Sequence, residues 1–73
     1  MSRSLLTPGA ALAIFEEIVS RDPGQLKAWM NIGMLCQEKL SDPDRAAEAY
    51  EEYLRRGGED KRVKQWLGQL KRR

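Results

Sequence analysis

The sequence predicts an all-α fold of four antiparallel helices, and three observations carry that expectation. Apolar residues recur at helical spacing in four stretches, capping and breaking residues separate the stretches, and no run shows the polar/apolar alternation of a half-buried strand. At 73 residues the chain holds one small domain. Residues 1–7 read as a short N-terminal extension and 8–72 as the helical domain.

The first helix opens at Thr7-Pro8, an N-cap followed by proline at the first helical position, and carries Leu12, Phe15, Ile18 and Val19 until Asp22-Pro23-Gly24 ends it. The second presents Leu26, Trp29, Ile32, Gly33, Cys36 and Leu40 until Ser41-Asp42-Pro43. Asp42-Pro43 repeats the cap-plus-proline signal, and Ala46, Ala49, Tyr50, Tyr53 and Leu54 form the buried face of the third helix until Gly57-Gly58. The fourth starts near Glu59-Asp60 and carries Val63, Trp66, Leu67 and Leu70 on one side. Its acidic start and basic end suit the helix dipole.

Composition removes several function classes. There is no histidine, and Cys36 is the single cysteine, so disulfide scaffolds, the usual zinc sites and Ser-His or Cys-His catalysis have no residues to use. With no phosphate-cradling glycine motif either, the chain is expected to be no enzyme and to need no cofactor or metal. Cys36 lies on the inner stripe of the second helix and is expected to be a small buried apolar residue. The apolar run Ala10 to Phe15 is too short for a signal peptide or a membrane span, which makes a cytoplasmic setting the default. Charge is unevenly placed. Residues 1–54 hold five cations against nine carboxylates, whereas 55–73 hold eight against two, so the C-terminal end is a cationic patch.

Shifting the chain by 35 residues against itself aligns Ala11 with Ala46, Phe15 with Tyr50, Glu16-Glu17 with Glu51-Glu52, Val19 with Leu54 and Arg21 with Arg56. Ile32-Gly33 falls on Leu67-Gly68, and Pro23 on Gly58. A fixed period of this length marks stacked helical units, none of which covers its apolar face alone. Trp29-Met30-Asn31-Ile32-Gly33, then Ala46 through Tyr50, with Ala11, Phe15 and Pro23 ahead of them, resembles the tetratricopeptide repeat pattern W-x2-L-G-x2-Y, A-x3-F, P. The resemblance covers about residues 8–71. Cys36 stands where the family prefers tyrosine, Lys64 where a second tryptophan would be, and Gly58 where a later proline would be. The separation of Trp29 from Ala46 is one residue longer than the family's, which the turn from Leu40 to Asp44 absorbs.

The resemblance implies a short α-solenoid of helix-turn-helix units and a protein–protein interaction module. In the family's frame this chain runs B, A, B, A, so only the central unit is complete. The fourth helix is expected to seal the C-terminal side, with Lys61, Arg62, Lys64 and Lys71 facing water. On the N-terminal side Leu5 and Leu6 are too few to replace a missing A helix, and self-association is expected, either as a twofold dimer through helix one or as a head-to-tail stack with helix four.

The family's concave positions, carried over one by one, are Lys27, Met30, Asn31, Met34, Gln37 and Glu38 on the second helix and Arg62, Gln65, Trp66 and Gln69 on the fourth. Such a face would take a protein or peptide partner. Met30 and Met34 occupy places where the family's carboxylate clamp uses polar side chains, so that clamp is not expected. The second reading is a binder of nucleic acid or another polyanion through Lys61, Arg62, Lys64, Lys71, Arg72 and Arg73. It is the weaker one: the cluster lacks interleaved aromatics beyond Trp66 and no recognition-helix motif is visible.

Overall fold

The computed structural model describes residues 7–72. Leu5, Leu6 and Arg73 lie outside the described residues. Four helices follow one another: α1 (Pro8–Arg21), α2 (Leu26–Glu38), α3 (Pro43–Arg55) and α4 (Lys61–Lys71), with no strand among the described residues. None of these helices is long and apolar enough to cross a membrane.

Three of the four starts are capped as the side chains dictate. The Thr7 hydroxyl accepts the Ala10 N–H at 3.2 Å, the Asp42 carboxylate that of Arg45 at 3.3 Å, and the Asp60 carboxylate that of Arg62 at 2.9 Å. α2 starts at Gln25 without a side-chain cap. Instead Asp22 fastens the preceding loop, accepting from the Gly24 N–H and the Gln25 amide, each at 3.1 Å. The Trp29 indole N–H then donates to the Pro23 carbonyl at 2.8 Å.

Helix ends are set by backbone conformation. Gly57 adopts φ 103, a value open to glycine and costly for other residues, and lets the Gly57 and Gly58 N–H groups return to the carbonyls of Leu54 and Tyr53. The turn after α2 does the same with Ser41 at φ 51, while the Leu40 N–H donates to Leu35 and the Asp42 N–H to Cys36. α2 therefore stops at Glu38, and Leu40, expected on its stripe, lies in the turn, half-buried against the core.

Leu12 and Val19 of α1, Ala28, Ile32 and Cys36 of α2, Ala46, Ala49, Tyr50 and Tyr53 of α3, and Val63 of α4 form one buried cluster. Each helix packs on its neighbour in sequence, most extensively α2 on α3. Close approach at that seam depends on Gly33, where a Cβ would stand 2.2 Å from the Tyr50 ring. Phe15, Trp29, Leu54, Trp66, Leu67 and Leu70 are half-buried around the cluster.

Ile18 corrects the expectation. Helical spacing puts it on the buried face beside Val19, yet it is 36% exposed, and Ile14 is 51% exposed. Leu12 and Val19 lie seven residues apart on one side of α1, and at 3.6 residues per turn Ile14 and Ile18 fall on the opposite side. Both sides of this helix are apolar, and only one is covered by described residues.

Candidate functional site

The ten positions picked on α2 and α4 do not share one groove. Asn31, Met34 and Glu38, with Phe15, Leu35 and Lys39, line a hollow of about 210 Å³ where α1 meets α2. On α4, Gln65 and Gln69 join Lys64, Gly68 and Arg72 around a second, open hollow of about 480 Å³. Lys27 is exposed and Met30 half-buried against the core, and neither lines either of these two hollows. Gln37 is committed elsewhere: it accepts the Tyr50 hydroxyl at 2.8 Å. Arg62 is held by the Asp60 carboxylate at 2.8 Å, with its guanidinium 5.6 Å from the Trp66 ring. Trp66 turns toward the core, its ring 5.7 Å from that of Tyr50.

The first hollow has a cause in the repeat. Asn31 stands 35 residues before Trp66, as Phe15 stands before Tyr50. At the α3/α4 seam the indole fills the space beside Tyr50. At the α1/α2 seam the smaller Asn31 leaves the corresponding space beside Phe15 open.

A third concavity, about 590 Å³, lies outside the positions the sequence singles out. It lies between α1 and α3, with Val19, Trp29, Ile32 and Ala49 at its base and Glu16 and Glu48 among its rim residues. Glu16 and Glu51, 35 residues apart in the sequence, both line it, and that recurrence is the one sequence signal that points to it. Most of that charge is compensated inside the chain: Glu16 pairs with Arg45, Glu52 with Arg55 at 2.6 Å and Arg56 at 3.1 Å, and Glu51 with Lys71 at 2.9 Å. Such exposed pairs are individually weak.

Electrostatics at the core groups favour their neutral forms. Burial pushes the Tyr50 phenol up from 10.0 to about 12, with Glu38 and Cys36 adding to the effect. Burial likewise raises the Cys36 thiol, against an opposing pull from Arg45, so the group stays protonated and unreactive as a fully covered apolar residue. Hydrogen bonds from Arg62 hold the Asp60 carboxyl below its usual range. Among the described residues no His, Cys, Asp and Glu side chains gather into a group of three that could hold a metal ion.

No protein-family model matches the chain, no curated protein matches it, and no solved structure matches it.

Proposed function

We propose that the chain is a small interaction module of tetratricopeptide type, a short solenoid that holds a peptide segment of a partner protein. The observation that carries this reading is the position of Tyr50, fully buried between Gly33 of α2 and Trp66 of α4. One aromatic residue serving two successive helices is what stacked helix pairs require, and it falls at the A-x3-F position of the repeat. The dimensions of 41 × 28 × 16 Å support it as well. Two layers of helices about 8–10 Å apart, each with a Cα radius of about 2.3 Å, account for the short axis.

The hollow at Asn31, Met34 and Phe15 is the proposed seat of one partner side chain. A peptide array probed with the full chain tests it. Asn31→Trp should fill the hollow as Trp66 fills the other seam, lowering peptide binding while raising stability by about 1 kcal/mol through the added aromatic pair. A peptide bound equally by both forms would remove the hollow from the proposal. The polyanion reading has less support, because Arg62 and Lys71 of the basic set are tied to Asp60 and Glu51. Binding that falls steeply with salt would favour it instead.

A further inference from the structure

The 35-residue repeat relates the covered faces of the molecule to its uncovered ones. Ala49 and Tyr53 of α3 are buried, 2% and 8% exposed, whereas Ile14 and Ile18, one repeat earlier on α1, are the exposed large hydrophobic residues. α1 therefore shows to solvent the face that α3 buries. On the other member of the pair, Gly33 receives the Tyr50 ring, while a Cβ on Gly68, one repeat later, would meet nothing within 4 Å. A glycine in an exposed helix interior costs about 0.5–1 kcal/mol relative to alanine, with no packing inside the chain to justify it. Gly68 lies in the open hollow on α4 with Lys64 and Arg72 on either side.

We infer that α4 of one copy receives α1 of a second copy, in the register in which α2 receives α3, so that Phe15 of the second copy enters the Gly68 socket. This rests on the stacked-repeat reading above. Ile14 of the incoming helix, one repeat before Ala49, which shares a concavity with Trp29 and Ile32, covers Leu67 and the stem of Lys64, with Ile18 one turn further along. Charge agrees in sign with this pairing: residues 1–54 and 55–73 have opposite net charge, and the ion pairs of the described residues leave out Lys64 and Arg72, whereas Glu16 and Glu17 of α1 are already paired with Arg45 and Arg21. The two faces differ, so the contact is head-to-tail and each added copy presents a fresh socket. Lysines stand where α2 has Trp29 and Cys36, which makes this seam weaker than the internal one.

Sedimentation of the full chain over a wide concentration range tests the pairing. The mean mass should climb past two chains without a plateau. Ile14→Lys with Ile18→Lys blocks one face and Gly68→Glu the other, both at exposed positions. Each variant alone should associate at least about tenfold more weakly. Mixed in equal amounts they should form a two-chain species and stop, because each retains the face the other has lost, and this recovery shows that both are folded. A wild type that stays monomeric overturns the inference, as does a dimer that Gly68→Glu leaves intact, which would mean a twofold α1 contact. Peptide binding that Asn31→Trp abolishes in a strictly monomeric chain would leave the interaction reading standing and this pairing rejected.

Discussion

A methyl group added at Gly33 would lie 2.2 Å from the Tyr50 ring, and one added at Gly68 would meet open space. The same substitution should therefore act in opposite directions one repeat apart. Gly33→Ala forces the α2/α3 seam to part and is expected to lower stability by about 1–3 kcal/mol. Gly68→Ala should raise it by about 0.5–1 kcal/mol through helix propensity alone, at concentrations where the chain is monomeric. Urea melts of the two variants check both signs. Tyr50 supplies a second prediction at this scale. Its phenol titrates higher in the folded chain than its ordinary 10.0, so the stability from burying it neutral is complete below pH 10.0 and is lost as pH rises toward about 12. Denaturation midpoints should fall across that window, and Tyr50→Phe should flatten the fall.

Among the elements, α3 was the most legible in the sequence. Its cap, its proline and four small or aromatic residues at helical spacing all pointed the same way, and Ala46, Ala49, Tyr50 and Tyr53 are buried as expected. α4 also follows expectation, with Val63 inside and Lys61, Arg62, Lys64 and Lys71 exposed. α1 was read less well. Its apolar residues occupy both sides, and a periodicity argument cannot tell whether Ile18 turns inward with Val19 or outward with Ile14. The candidate site was legible only in part, because hollows depend on what a neighbouring seam fails to fill. Asn31 signals its hollow only when compared with Trp66, and the α1/α3 concavity arises from two helices that are distant in sequence. The turn after α2 yields a prediction of its own. Ser41 sits at φ 51, where a Cβ costs roughly 1–2 kcal/mol. Ser41→Gly should recover about 1 kcal/mol of that, net of backbone entropy, read as a higher melting temperature.

At the scale of the whole molecule, contacts run between consecutive helices and the shape is elongated, 41 Å against 16 Å. If the helices form the stack proposed above, stability is close to a sum of local seams, and among the described residues the outermost helices pack mainly on one neighbour and the inner ones on two. Ordering an exposed face by association then adds directly to folding stability. The melting temperature of the wild-type chain should rise with protein concentration, while that of the Ile14→Lys, Ile18→Lys form stays level. Scanning calorimetry at two widely separated concentrations distinguishes these outcomes.

The placement of the two tryptophans has a practical consequence. Trp29 is anchored to Pro23 with the Arg56 guanidinium 5.6 Å from its ring, at the junction of α1 and α2, while Trp66 sits 5.7 Å from Tyr50 across the α3/α4 seam. Light absorbed by Tyr50 is well placed to be passed to Trp66, so a chain carrying only that indole reports α4 leaving the stack through its emission. A chain carrying only Trp29 reports instead on the turn after α1 and the end of α3, and comparing the two single-tryptophan chains shows which of these regions loosens first.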